Sequence, residues 1–388
     1  MPILNRAAEL QDEVAAWRRH LHQNPELGYD VFETAAFVKQ KLEEFGCDEI
    51  VTGLGRTGVV GLIKGRGPGG TVGLRADMDA LPIDELTGKP YASKTSGKMH
   101  ACGHDGHSAM LLGAAKYLAE TRNFDGNVAV IFQPAEEGGG GGGEMVRDGM
   151  MERFGIQKVF GMHNMPSLPV GEFAIRPGPI MAATAEFSID VKGKGGHAAM
   201  PHLGIDPILA GAQVVAALQT IASRTTDPID SVVVSVTKFH SGTAHNIIPE
   251  HAHIAGTVRS LRTDVAKKAE ERMKTICAGI ALASGTEIVV DYHPNYPVTF
   301  NHAAETVIAG DAAALVAGDP QVHRDIAPLM GGEDFSYMLE ARPGAFIFIG
   351  NGKSANLHHA EYDFNDEAIP HGISYWVKLA ETTLAMPR

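Results

Sequence analysis

Cysteine is scarce in this sequence: only Cys47, Cys102 and Cys277 occur in 388 residues. An odd count with no spacing framework excludes a disulfide-stapled scaffold. It points instead to a reducing compartment, the cytoplasm, with Cys47 and Cys277 read as buried thiols acting as small apolar side chains. Positive charge is also short. Lys and Arg total 33 against 46 Asp and Glu, a formal charge of −13, so no basic excess exists to displace the counterions of a nucleic-acid backbone. No apolar run approaches the ~18 residues that cross a bilayer. Met1 to Glu13 is interrupted by Arg6 and Glu9 where a signal peptide needs an apolar core. Nucleic-acid and membrane partners are therefore not expected. What is present, 44% apolar and 20% charged residues, is ordinary for a soluble globular chain and argues against pronounced disorder.

The length suits two domains. In the first half, short apolar runs (Val59 to Ile63, Val72 to Arg75, Val128 to Phe132, Val159 to Met162) end near Gly, Pro, Asp or His, and Ser108 to Ala119 has helical periodicity between them. Such alternation predicts an α/β sheet covered by helices, with ligands at the C-terminal edge of its strands. The middle changes character. Strand Ala185 to Val191, helix Pro207 to Ala222, strands Val232 to Phe239 and His253 to Val258, helix Asp264 to Ala283 and strand Glu287 to Tyr292 give the order β-α-β-β-α-β, the ferredoxin-like split motif. The α/β pattern then resumes with helix Ala303 to Val316, strand Ala345 to Ile349 and a closing helix from about Asp366. The expected architecture is a catalytic α/β domain with a mixed, mostly parallel sheet (residues 1–183 and 298–388), interrupted by an inserted ferredoxin-like α+β domain (residues 184–297). The glycine run Gly138 to Gly143 lacks the Lys-Ser/Thr of a phosphate loop and reads as a flexible loop.

Five segments carry more polar chemistry than strand ends need: Arg75 to Pro82 with Asp77 and Asp79; Met99 to His107 with His100, Cys102, His104, Asp105 and His107; Gln133 to Glu137; Gly161 to Asn164; and Leu357 to His359. Thiolate, imidazole and carboxylate are the usual ligands of zinc and its first-row neighbours. A Cys-x-His pair can serve one metal cluster if Gly103 permits a tight bend. Adjacent Glu136 and Glu137 point opposite ways in extended backbone, so one can bind metal while the other accepts the proton of an attacking water. That division suits metal-assisted hydrolysis.

These residues carry a family likeness. The sequence resembles the M20 metallopeptidase family, in its amidohydrolase branch of hippurate hydrolases, auxin-conjugate hydrolases and N-acyl-amino-acid amidohydrolases. The likeness runs from Arg18-Arg19-His20-Leu21-His22 and Pro25-Glu26-Leu27 through all five segments. It continues through Gly195 to His202, His245 to Pro249 and Met330 to Phe335, and ends at Leu357-His358. It implies metal ligands at Cys102, His104, Glu137, His163 and His358, a general base at Glu136, and a supporting carboxylate at Asp79 that orients a ligand. It further implies two divalent ions per subunit (Zn, Mn, Co or Ni) and a small-molecule N-acyl amino acid substrate. The inserted domain would be a lid forming a homodimer, or a tetramer of such dimers. On it, His197 would reach an active site and Asn246 and Arg259 would face substrate. His107 and His359 are left without a role.

Overall fold

The computed structural model describes residues 3–385. They form two compact units, one of residues 3–180, 299–327 and 334–385 and the other of residues 181–298 and 328–333.

The first unit is built on an eight-stranded sheet. Its order is Glu49–Leu54, Gly58–Lys64, Asn127–Gln133, Thr71–Asp77, Ile156–Pro166, Gly344–Gly352, Phe173–Ala174, Val322–His323. The four central strands, from Asn127–Gln133 to Gly344–Gly352, are mutually parallel, while Glu49–Leu54 and Gly58–Lys64 add an antiparallel edge. The central strands are buried along almost their whole length, as near-continuous Val, Ile, Leu and Phe runs require when both faces are covered. Val72, Leu74, Val128, Val130, Phe160 and Ile347 share one core with the helix His104–Thr121, itself flanked by Gln11–Gln23 and Ile369–Thr383. The helix His104–Thr121 is buried nearly all round over its first three turns, the signature of a central rather than a surface helix.

Two local expectations change. The fourth polar segment does not follow its strand: Ile156–Pro166 continues through His163 and Asn164, because parallel pairing with Gly344–Gly352 extends to Pro166. The glycine run is not a loop throughout. Helix Gly141–Arg147 begins within it, and a Cβ on Gly141 would lie 1.8 Å from the Pro134 carbonyl oxygen. Close backbone approach accounts for glycine there despite its poor helix propensity.

The second unit has strands Ala183–Lys192, Val232–Ser241, His251–Ser260 and Glu287–Pro294 with helices Pro207–Thr220 and Thr263–Ser284. Counting its strands one to four in sequence, the antiparallel sheet runs two, three, one, four, the split β-α-β arrangement. Phe187, Ile189, Val191, Ile254 and Val258 form one core with Val214, Leu218, Met273 and Cys277 of the helices. Asp206 caps the first helix by accepting from the Ile208 and Leu209 amides, with Pro207 at its first position. The short segment 328–333 joins this unit, with the Ala182 amide donating to the Gly331 carbonyl.

Candidate metal centre

The parallel strands bring the five polar segments of the first unit to one edge of the sheet, as open α/β sheets place ligand sites. Asp77 ends one strand and Asp79 follows it. Gln133 ends the next, and Glu136 and Glu137 lie just beyond. His163 projects from near the end of a third, and the loop after Gly344–Gly352 carries His358. Cys102 and His104 enter from the start of helix His104–Thr121. Gly103, at φ 86°, makes the bend between them; this left-handed conformation favours glycine.

Donor atoms of Cys102, His104 and His163 lie within 4.8 Å of one another, and so do those of Cys102, Glu137 and His358. A third cluster of this kind joins His104, Glu136 and Glu137. Cys102 Sγ is 3.4 Å from His163 Nε2; sulfur and nitrogen on one tetrahedral zinc-like ion sit roughly 3.5 Å apart. His358 Nε2 lies 3.2 Å, and His104 Nε2 3.9 Å, from Glu137 Oε1.

The histidines are pre-set for coordination. His104 donates its Nδ1 proton to the Asp79 carbonyl at 2.8 Å, and His163 donates its own to the Asn164 carbonyl at 2.7 Å. A carbonyl can only accept, so each tautomer leaves Nε2 as the free donor atom, the arrangement metal-binding histidines adopt. His104 Nε2 and Glu137 Oε1 are buried and make no hydrogen bond. Buried polar atoms are nearly always satisfied, so the bare His104 Nε2, facing a Glu137 Oε1 whose near neighbour is the His358 ring rather than a hydrogen-bond donor in good geometry, fits a divalent cation. Asp79 supports the site twice. Its carbonyl holds His104, and its carboxylate accepts from the amides of Glu136 and Glu137 at 2.9 and 3.0 Å. Ala135, just before them, is held at φ 53°, a conformation rare for a residue with a Cβ and concentrated at functional sites.

The electrostatics point the same way. Burial, with Glu137, Glu136 and Asp77 nearby, pushes the Cys102 thiol well above its ordinary value. Burial alone would lower His104, but Asp77, Asp79 and Glu137 outweigh it and raise the ring to about 10. His358 is raised by Glu137. His163 is pushed down by burial and by His107. With carboxylates outnumbering cations, the cluster holds protons that a divalent ion would displace.

His107 is fully committed elsewhere: Asp77 Oδ1 takes its Nδ1 proton at 2.7 Å, and its Nε2 accepts from the Asn164 amide at 2.9 Å. His359 is exposed, accepting from the Glu361 amide. Sequence reasoning passed over Tyr362 and gave no role to Asn164, Arg75, Gln133 or Asp334, although each lies in a segment it marked; Arg75 reaches Asp77 at 2.8 Å and Asp334 at 3.1 Å, and Gln133 donates to Asp334 at 2.7 Å.

The second unit holds the remaining candidates. His197 and Asn246 come together: His197 pairs with Ile247 across two short strands, and the Ala198 amide donates to the Asn246 carbonyl. His197 is exposed, its Nδ1 accepting from the Ala199 amide at 3.0 Å. Arg259 is half-buried on strand His251–Ser260, bonded to Thr257 and to the Val258 carbonyl.

Comparison with known proteins identifies the family. Residues 73–382 match peptidase family M20/M25/M40. The chain is 43% identical over 380 residues to a hippurate hydrolase of Campylobacter jejuni, covering 98% of this chain and 99% of that one. It is 42% identical over 351 residues to thermostable carboxypeptidase 2 of Saccharolobus solfataricus, covering 89% of this chain and 88% of that one. The solved structure of the YXEP protein of Bacillus subtilis, a dinuclear metal binding peptidase from the M20 family, matches with a TM-score of 0.85 and 36% identity over 97% of this chain and 99% of that one. With this fold, this donor cluster and likeness along nearly its whole length, the chain belongs to the amidohydrolase branch of peptidase family M20.

Proposed function

We propose that this protein hydrolyses the amide bond of N-acyl amino acids of the hippurate type, releasing a carboxylic acid and an amino acid. The observation that carries this reading is the pair of donor triads sharing Cys102, with the Glu136 carboxylate grouped beside His104 and Glu137. Cys102, His104, Glu137, His163 and His358 would hold two divalent ions, drawn from Zn, Mn, Co or Ni, whose usual ligands these thiolate, imidazole and carboxylate groups are. Such ions supply Lewis acidity, lowering the pKa of an attacking water and polarising the acyl carbonyl.

Glu136 takes the proton of that water and returns it to the departing amine nitrogen. Its position depends on Asp79, whose carboxylate fixes the backbone of the Glu136–Glu137 pair by accepting a hydrogen bond from each amide N–H. The second unit, residues 184–297 in the sequence reading, serves as lid and dimer contact. Its edge strand Val232–Ser241 and the exposed Leu203, Leu209 and Ile247 offer unpaired backbone and apolar surface to a second copy. On it His197 donates to the oxyanion in the partner's site, while Asn246 and Arg259 hold the substrate's polar groups. Mixing Glu136→Ala with His197→Ala subunits tests the exchange. Activity returning towards half per mixed dimer supports it, and an inactive mixture with proven exchange rules it out.

The carboxypeptidase relative favours one second reading, cleavage of peptides on the same centre. Protein reloaded with each metal and assayed on N-acetyl, N-benzoyl and indole-acetyl amino acids alongside dipeptides separates the two. Faster turnover of the acyl amino acids supports the proposal, and faster turnover of the dipeptides overturns it.

A further inference from the structure

Asn164 is buried, one residue beyond His163, and every polar group it owns is used within the metal centre's frame. Its amide N–H donates to His107 Nε2 at 2.9 Å, and its carbonyl accepts the Nδ1 proton of His163 at 2.7 Å. Its side-chain Nδ2 donates to the Cys102 carbonyl at 2.6 Å, and its Oδ1 accepts from the Tyr362 hydroxyl at 2.8 Å. The Cys102 carbonyl can only accept, so the amide has one possible orientation. His107 is held in turn by Asp77, and Asp77 by Arg75. Tyr362 lies on the segment carrying His358, whose own amide donates to the Ala101 carbonyl. A Cβ on Gly103 would sit 2.3 Å from Asn164 Nδ2, so the bend at Gly103 also makes room for this amide.

We propose that Asn164 is a positioning residue for the metal centre. It ties the backbone of Cys102 to the ring of His163 and, through Tyr362, braces the segment bearing His358. This rests on the reading of Cys102 and His163 as metal ligands. A fully satisfied buried network of this kind rigidifies what it connects, and partners that orient ligands typically change metal affinity ten- to a hundredfold when lost. Aspartate cannot substitute, because it has no N–H for the Cys102 carbonyl.

The test is cobalt(II) titration of the chelator-stripped full-length protein, wild type against Asn164→Asp and Tyr362→Phe, with Cys102→Ser as a control. Three readouts are followed: cobalt affinity, the thiolate-to-cobalt charge-transfer band per bound ion, and the melting temperature of the metal-free protein. Asn164→Asp should bind cobalt about ten- to a hundredfold more weakly with a shifted or weakened band. Tyr362→Phe loses one hydroxyl and keeps the fold, and it should show a smaller change in the same direction; it decides the matter if Asn164→Asp does not fold. A lower melting temperature with wild-type cobalt affinity and band in the folded variants makes Asn164 merely structural and overturns the proposal. If Cys102→Ser keeps the band, the ligand assignment itself fails, an outcome distinct from failure of the positioning role.

Discussion

Replacing His22 with glutamine should remove a pH dependence of stability that the wild type carries between pH 7 and pH 9. His22 is fully buried on helix Gln11–Gln23, with Nδ1 2.8 Å from Asp105 and Nε2 3.3 Å from Glu85. Arg18 faces the same Asp105 carboxylate at 3.6 Å, and the rings of Tyr91 and His100 complete the surroundings. Burial alone would lower the imidazole's pKa, but the two carboxylates outweigh it and raise the value from 6.5 to about 9. At ~1.4 kcal/mol per pKa unit the imidazolium contributes about 3 kcal/mol, an order-of-magnitude figure. Because the folded-state value lies above the unfolded one, this contribution is complete below about pH 6.5 and is lost as pH rises through about 9. On this account the wild type loses about 2 kcal/mol between pH 7 and pH 9 that His22→Gln does not. Urea unfolding followed by tryptophan fluorescence reads the relevant unit alone, since both tryptophans, Trp17 and Trp376, lie in it. Taking the difference between the two proteins at each pH cancels the other titrating groups. Parallel stability profiles across that window would refute the reasoning.

Cys102 should resist alkylation in the metal-loaded protein and become more reactive after chelation, read by mass spectrometry of the labelled peptide; equal labelling in both states argues against coordination through sulfur. Gly103→Ala combines a Cβ at φ 86° with a clash 2.3 Å from the Asn164 amide, and should cost about 2–4 kcal/mol in urea unfolding. A loss under about 0.5 kcal/mol would mean that the bend relaxes freely.

Much of the frame was legible because the runs that became central strands are apolar and short and alternate with helical periodicity. The inserted unit was legible through its change of pattern near Ala183. Read from the residues alone, without the family likeness, the site chemistry was legible as clusters but not as roles. Nothing local distinguishes His104 from His107, three residues apart on one helix. They part only because Asp77 and Asn164, distant in sequence, occupy both nitrogens of His107 and leave Nε2 of His104 bare. Asn164 went unread for the same reason: its partners Cys102 and Tyr362 lie 62 and 198 residues away. The helical start within the glycine run depends on closeness to Pro134, which composition does not carry. The segment 328–333 joins the second unit through a fold-back that no periodicity announces.

The division of labour between adjacent Glu136 and Glu137 is the centre of the account, and Glu136→Gln, measured for metal content and turnover on one preparation, tests it most directly. The variant should retain the divalent ions of the wild type, because Glu136 is not needed to hold them. Hydrolysis of an N-acyl amino acid should fall by roughly a hundred- to ten-thousandfold, with no compensating change in KM, as loss of a general base predicts. A variant that sheds its metal along with its activity, or one that turns over substrate at the wild-type rate, would contradict the account.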